Sequence, residues 1–171
     1  SAIPEEFSRL IARGGVIENA RIGISSEINP FVILKGVSFR NNVLALDLNG
    51  NRRYDGAIVD SCRFEVTSEI NHSEEGELPA GFVNIRQKSK VVFNNCDFVN
   101  EEGHRKYNDE ESGIGILVEN SSIFLNGCSF KNLFKGIYAT SGSPDCSLDV
   151  VSSRFELCHC GIQLNAFPKA S

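Results

Sequence analysis

The feature that most constrains this chain is a repeated segment that ends on an aromatic residue. Five copies have similar sequences, KGVSF, DSCRF, NNCDF, NGCSF and VSSRF, and a divergent sixth copy is RGGVI. The last residue of each copy, here called the marker residue, is in turn Ile17, Phe39, Phe64, Phe98, Phe130 and Phe155. A self-similar unit that recurs along the whole chain indicates a solenoid, in which each unit buries its apolar face against its neighbours.

Apolar residues recur at fixed distances from the marker in every copy. Seven residues before it stand Leu10, Val32, Ala57, Val91, Ile123 and Leu148. Five residues before it stand Ala12, Leu34, Val59, Phe93, Leu125 and Val150. This two-residue spacing is typical of short strands with one buried face. A third strand is predicted at Ile24, Leu46, Phe82, Ile116, Ile137 and Ile162.

Small or turn-forming residues mark two bends in each copy. The first bend, three residues before the marker, carries Gly36, Ser61, Asn95, Gly127 and Ser152. The second precedes the third strand at Gly23, Gly81, Gly115, Gly136 and Gly161, where we expect positive φ angles. Three strands joined by bends and stacked on copies of themselves predict an all-β fold, a parallel β-helix of about six rungs forming one domain over 1–171. A helix through PEEFSRLIAR is the alternative for the first strand.

Units such as VVFNNCDFVN, SIFLNGCSFKNLFKGIYA and LDVVSSRFELCHCGIQL resemble the right-handed parallel β-helix repeats of the pectate-lyase-like superfold. The segments GGVIENARIGI and FRNN are similar to repeats in large secreted or surface proteins of the Bacteroidetes type. The resemblance covers residues 10 to 165 and implies an extracellular or cell-surface location. It implies a fold rather than an activity, because this superfold hosts lyases, hydrolases, adhesins and inert stalks.

The formal net charge of −5 disfavours nucleic acid as a partner, and no apolar run is long enough for a membrane span. The repeat is under way by Leu10 and still running at GIQLNAF. Bare solenoid ends expose apolar surface and strand edges. We therefore expect a fragment of a longer protein, with flanking rungs or domains of the same polypeptide as partners, and end-to-end association of the isolated chain.

Two consecutive copies carry long acidic insertions at the same place, 65–81 and 99–115. Eighteen residues, rather than seven, separate the marker from the next predicted strand there. The insertions have formal charges of −5 and −3, although the whole chain has only −5. A solenoid places them side by side, which favours a face that binds a glycan or a surface protein. The alternative is that acidic loops only keep a β-rod soluble.

Carboxylates and two ring side chains are the candidate binding groups of this face. Clustered acids suit Ca²⁺, which takes oxygen ligands, whereas a tyrosine and a histidine suit stacking on or hydrogen bonding to a glycan. Glycoside hydrolysis by a carboxylate pair is the competing interpretation. The candidate residues are Glu74, Glu75, His104, Tyr107, Asp109, Glu110 and Glu111.

A second candidate for Ca²⁺ is the segment DLNGNRRYDG, with Asp47, Asn49, Asn51 and Asp55. Its beginning has the D-x-N-x-N spacing of a calcium loop. Arg52 stands where such a loop has glycine, and no glutamate closes it, so a polar turn is the favoured interpretation. No other cofactor is predicted.

The signatures NTD, GHG and RIK of polygalacturonases do not occur, nor does G-x-S-x-G. The sequence therefore favours a non-catalytic spacer and adhesion module. A carbohydrate-active β-helix enzyme, either a polysaccharide lyase or a glycoside hydrolase, is the alternative.

Cys62, Cys96 and Cys128 stand two residues before the marker in consecutive copies. They are predicted to form a buried stack whose parallel Cβ directions suit a disulfide poorly. Cys158 is predicted to join the core. Zinc at Cys158, His159 and Cys160 is disfavoured, because neighbouring residues of a strand face opposite ways.

Overall fold

The structure is a computed structural model that describes residues 9–27, 31–50, 56–67, 82–87, 90–101 and 113–166. These residues form strands and connections, and among them no helix is long and apolar enough to cross a bilayer. The strands are β1 (Arg9–Arg13), β2 (Val16–Glu18), β3 (Ile22–Ser26), β4 (Phe31–Lys35), β5 (Ser38–Arg40), β6 (Leu44–Asn49), β7 (Gly56–Asp60), β8 (Arg63–Val66), β9 (Val83–Arg86), β10 (Lys90–Asn94), β11 (Asp97–Asn100), β12 (Ile114–Glu119), β13 (Ile123–Asn126), β14 (Ser129–Lys131), β15 (Lys135–Thr140), β16 (Leu148–Val151), β17 (Arg154–Glu156) and β18 (Cys160–Asn165).

The strands form three parallel sheets of six, and each rung contributes one strand to each sheet. Sheet A has the order β1-β4-β7-β10-β13-β16, sheet B the order β2-β5-β8-β11-β14-β17, and sheet C the order β3-β6-β9-β12-β15-β18. The predicted parallel β-helix of six rungs is confirmed. The segment Arg9–Arg13 is a strand paired with β4, as preferred over a helix.

The predicted columns of like residues are confirmed by the strand register. In sheet B the marker residues lie opposite one another from Ile17 to Phe155. In sheet A the column from Leu10 to Leu148 and the column from Ala12 to Val150 are equally continuous. Side chains of these columns are almost fully buried in the middle rungs and form one core.

The five marker phenylalanines form one uninterrupted aromatic stack. Ring centroids are 5.0 Å apart for Phe39 and Phe64, and 4.7 Å apart for Phe64 and Phe98. The stack continues at 4.6 Å to Phe130 and 4.8 Å to Phe155, with interplanar angles of 9° or less. Such ring pairs each contribute about 0.5–1.5 kcal/mol beyond the apolar area that they bury.

One core position differs by a single residue from the prediction. The register places Val83, not Phe82, opposite Leu46 and Ile116 in the third-strand column. Phe82 is still buried, at 2% exposure, but it stands where four other rungs have glycine and the second rung has Ala45. The prediction was wrong because both residues are apolar, and an insertion of unknown path leaves the register after it undetermined. Gly81 lies outside the described residues.

Glycine is favoured before the third strand for a different reason from the one predicted. None of Gly23, Gly115, Gly136 and Gly161 has a positive φ angle, whereas the first bend does, from φ 50° at Ser152 to φ 66° at Gly127. A Cβ added to Gly115 would lie 3.0 Å from the ring of Phe130 and 2.5 Å from the carbonyl oxygen of Gly136. The glycine column therefore exists because the marker rings and the next rung pack directly against it.

Replacing Gly136 by alanine should lower the free energy of unfolding by about 1–3 kcal/mol, the usual range for overpacking. The added methyl group would meet the Gly161 carbonyl oxygen and the Phe155 ring, each at 2.6 Å. The matched control is Gly142→Ala, where nothing lies within 4 Å of the new Cβ, and which should change stability by less than about 0.5 kcal/mol. Urea denaturation followed by circular dichroism measures both. Equal stability of the two variants would contradict the packing role.

Candidate functional site

Both insertions arise at one corner of the coil, between sheet B and sheet C of the third and fourth rungs. Where the chain leaves sheet B, the Glu101 N–H donates to the Val66 carbonyl oxygen at 2.9 Å. Where it returns to sheet C, the Phe82 N–H donates to the Ile114 carbonyl oxygen at 3.0 Å. The insertions therefore begin beside each other and end beside each other. The residues at 65–66, 99–100 and 114–115, predicted as parts of the insertions, belong to strands.

The predicted binding residues of the insertions lie outside the described residues. They are Glu74, Glu75, His104, Tyr107, Asp109, Glu110 and Glu111, and their roles stay predictions. The same holds for Asn51 and Asp55 of the second calcium candidate.

A network of ion pairs lies on sheet B, at the strands from which the insertions begin. The Glu65 side chain is buried and accepts hydrogen bonds from Arg40 Nε at 2.8 Å and from Arg63 Nε at 2.5 Å. Arg63 also contacts Glu101 at 2.5 Å, and Arg40 lies 3.7 Å from Glu18. Acidic and basic side chains thus alternate across four rungs and brace the strands from which the insertions leave.

The paired arginines set the ionisation of Glu65. Burial alone would raise the pKa of this carboxyl group, but the hydrogen bonds and positive charges of Arg63 and Arg40 outweigh burial and lower the pKa below its usual value. Glu65 is therefore a carboxylate at neutral pH. Its position is that of a structural anion rather than of a proton donor.

A second polar cluster lies on the outer face of sheet C, beside the returning ends of the insertions. Asp47 accepts hydrogen bonds from Asn84 Nδ2 at 3.0 Å and from an Arg86 terminal nitrogen at 3.0 Å and 3.2 Å. Asn84 is 1% exposed, and within the part of the chain that the structure describes neither its Oδ1 nor the Arg86 Nε has a hydrogen-bond partner. Buried polar atoms without a hydrogen-bond partner are uncommon and often mark functional or strained sites.

These contacts bear on the second calcium candidate. Asp47 is engaged by Arg86, so a cation at this carboxylate would have to compete with a guanidinium group. Asn49 lies at the end of β6, opposite Arg86. The described residues contain no group of three His, Cys, Asp or Glu side chains that could hold a metal ion. Calcium binding by Asp47, Asn49, Asn51 and Asp55 stays a prediction.

An aromatic and cationic cluster, which the sequence reasoning missed, lies at the same corner of the last two rungs. The Lys135 N–H donates to the carbonyl oxygen of Gly113, near the end of the second insertion, at 2.9 Å. Lys135 Nζ lies 5.0 Å from the ring centroid of Tyr138 and 5.7 Å from that of Phe134. The Phe134 ring in turn stacks on His159, with centroids 4.5 Å apart. One signal was present in the sequence, because Phe134 and His159 both stand four residues after a marker.

The cysteines have structural surroundings. None of the six, all of which lie in the described ranges, forms a disulfide. Cys62, Cys96 and Cys128 are buried in the core as predicted, and Cys158 packs against it. Hydrogen bonding to Cys128 and Cys62, together with burial, raises the pKa of the Cys96 thiol. Such a thiol stays protonated and unreactive in the folded state.

The fold and this corner define a class, a parallel β-helix solenoid with two neighbouring insertions at one edge. No protein-family model, curated protein or solved structure gives a significant match to the chain. The class therefore follows from the topology and register of the strands.

Replacing Glu65 by glutamine should destabilise the fold at pH 7 by about 1–3 kcal/mol, because the charge-assisted bonds to Arg40 and Arg63 are weakened. It should also reduce the loss of stability on acidification. A lowered folded-state pKa gives stability that is present above the unfolded pKa of about 4.3 and is lost as pH falls through the folded pKa. Urea denaturation at pH 7 and pH 3 measures this difference.

The control for this variant is Glu156→Gln, which removes a half-exposed carboxylate 3.2 Å from Arg154. It should change stability by less than about 1 kcal/mol, as exposed ion pairs do. A Glu65→Gln variant with the same loss between pH 7 and pH 3 as the parent chain would show that Glu65 is not the group responsible.

Proposed function

We propose that this chain is a non-catalytic module of an extracellular or cell-surface protein, which acts as a rigid spacer and presents one binding face to a glycan or a protein. The observation that supports the proposal most directly is where the two long insertions begin and end. They leave and return on neighbouring rungs at a single corner, and a network of ion pairs stabilises the strands that carry them.

Rigidity supports the spacer role. Every rung is hydrogen-bonded to the next in three sheets, and the marker rings stack without a break from Phe39 to Phe155. With parallel strands about 4.8 Å apart, six rungs rise about 24 Å over five steps. A coil of this kind has no hinge between rungs and holds the insertions at a fixed position along its length.

We call the two insertions and the described side chains beside them the corner face. Its described members are Asp47, Asn84, Arg86, Phe134, Lys135, Tyr138 and His159. Along sheet C one rung separates the two clusters, since Leu117 lies between Asn84 and Tyr138 in the strand register. Ring, amide, guanidinium and carboxylate groups are the kinds of group that sugar and peptide ligands use for stacking and hydrogen bonding. The acidic insertions would repel an acidic polysaccharide, so a neutral or basic ligand fits better.

The extracellular location is supported by the likeness of the repeats to those of secreted surface proteins. Buried cysteines are compatible with it, because the core thiols of Cys62, Cys96 and Cys128 are shielded from oxidants.

Replacing Tyr138 by alanine should weaken ligand binding at least about tenfold, which corresponds to about 1.4 kcal/mol. Phe124→Ala is the matched control, because Phe124 is also a half-buried aromatic residue on an outer sheet face, but in sheet A away from the corner. An array of neutral oligosaccharides with chito-oligosaccharides as basic members serves as the probe. If both variants bind every oligosaccharide that the parent chain binds with equal strength, the corner face is not the ligand-binding surface.

The acidic insertion is tested with a second pair of variants. Glu74→Gln with Glu75→Gln should alter binding on the same array. Glu27→Gln with Asp145→Asn should not, because these two exposed acids lie in connections between sheet C and sheet A, at a different corner. The same proteins are assayed for release of reducing ends from polysaccharides. If the parent chain cleaves a polysaccharide and the variant with both Glu74→Gln and Glu75→Gln does not, the proposal of a non-catalytic module is wrong. The chain would then be a carbohydrate-active enzyme.

A further inference from the structure

The outer face of sheet A has an apolar centre, whereas the outer face of sheet B carries the ion-pair network. Between the two core columns of sheet A, one side chain per rung points outward, and the strand register aligns these side chains in a further column. Ile58, in the third rung, is 37% exposed, so this column reaches solvent in the middle of the coil. Its members in the first five rungs, which we call the sheet A stripe, are Ile11, Ile33, Ile58, Val92 and Phe124.

The strands that carry the stripe have the composition of strands that are covered on both faces. FVIL in β4 and IFL in β13 are apolar without alternation. Parallel strands buried on both sides have such runs, whereas a sheet with one face in water alternates apolar and polar residues. One face of sheet A packs on the core of this chain. The other face is therefore expected to pack on a partner, since a contiguous exposed apolar patch marks an interaction surface.

The column beside the stripe has a projecting ring in one rung and a groove in another. The half-buried ring of Phe31 lies over Gly56 of the next rung, because a Cβ added to this glycine would be 2.8 Å from the ring. Three rungs after Phe31 the same column has Ser122, where a groove of about 260 Å³ opens. A cavity of about 150 Å³ holds a benzene ring, so this groove has room for a phenylalanine ring. Its lining residues are Lys90, Ser122, Ile123, Phe124, Ser147 and Asp149.

A second copy of this chain brings ring and groove together when it faces sheet A in the antiparallel direction. The symmetry is a twofold axis that runs along the strand direction between the third and fourth rungs. This axis sets the second rung of each copy opposite the fifth rung of the other and keeps every column opposite itself. Phe31 of each copy then faces the groove at Ser122 of the other. On the stripe, Ile58 of one copy faces Val92 of the other, so the two stripes cover each other.

Charge favours the same antiparallel arrangement. It sets the first rung opposite the sixth, so that Asp149 of one copy lies between the columns of Arg9 and Arg13 of the other. Facing charges of opposite sign favour such a contact. A parallel arrangement, with the twofold axis along the coil, would instead set Arg9 of one copy opposite Arg13 of the other. Lys35, a further cation of this face, is paired with Asp60 at 3.5 Å within its own chain.

We propose that two copies of this chain dock antiparallel, sheet A against sheet A, with Phe31 of each copy in the groove of the other. The interface is the same surface on both copies, so association through it ends at a dimer. The acidic insertions begin and end between sheet B and sheet C, at the corner that sheet A does not share. Docking is therefore independent of any ligand at the corner face.

Sedimentation velocity from micromolar to millimolar concentration, with small-angle scattering, tests the proposal. The parent chain should form a dimer that is hardly longer than the monomer, whereas association through the ends would add about 29 Å, six rungs of about 4.8 Å. Ile58→Lys should raise the dimer dissociation constant at least about a hundredfold, because a tenfold effect occurs once in each copy. Val16→Lys is the control, since Val16 is 55% exposed on the outer face of sheet B, and it should dimerise like the parent.

Charge reversal tests the direction of docking. Asp149→Arg should weaken the dimer, because its arginine would face Arg9 and Arg13 of the other copy. Adding Arg9→Asp and Arg13→Asp to this variant should restore dimerisation, since the facing charges are again opposite. A double variant Arg9→Asp with Arg13→Asp should be as weak as Asp149→Arg.

Three results would overturn the proposal. They are a parent chain that stays monomeric at millimolar concentration, an elongated dimer, and a dimer that Ile58→Lys leaves unchanged. If circular dichroism shows Ile58→Lys to be unfolded, Ile58→Thr takes its place. This variant keeps the β-branched shape and should still weaken the dimer at least about tenfold, or about 1.4 kcal/mol.

Discussion

The stacking of one phenylalanine ring per rung is the interaction on which the rest of this structure depends. The ring spacing of 4.6 to 5.0 Å matches the distance of about 4.8 Å between parallel strands, so the rings and the backbone hydrogen bonds require the same rise. A shift of one residue in any rung would turn its marker ring away from the core. The glycine column is a consequence, because Gly115 and Gly136 leave the space that the rings fill.

A fixed register also explains why the insertions share one corner. Since the strands on both sides are bound to neighbouring rungs, extra residues can leave the coil only between sheets, where a longer connection has little effect on the stacking. The alternating charges from Glu18 to Glu101 brace this corner on sheet B. Glu65 links two rungs, because Arg63 comes from its own rung and Arg40 from the rung before it.

Columns are predictable from sequence because spacing alone defines them, and every residue from Leu10 to Leu148 in its column was placed correctly. The register after an insertion is not predictable in this way, as Phe82 and Val83 illustrate. Partners across rungs are harder still. Glu65 reads as the first acid of an insertion, and its pairing with Arg40 becomes evident only when both are aligned one residue after a marker. The contact of Lys135 with Tyr138 likewise depends on how the corner folds.

The most direct measurement of the central claim is a set of nuclear Overhauser contacts in a protein with isotopically labelled phenylalanine rings. Stacked rungs predict a ladder of ring contacts that links Phe39 to Phe64, Phe64 to Phe98, and so on to Phe155, between residues 25 to 34 positions apart in the chain. Marker rings that instead contact only residues of antiparallel neighbours, with no contact between Phe64 and Phe98, would contradict the parallel coil.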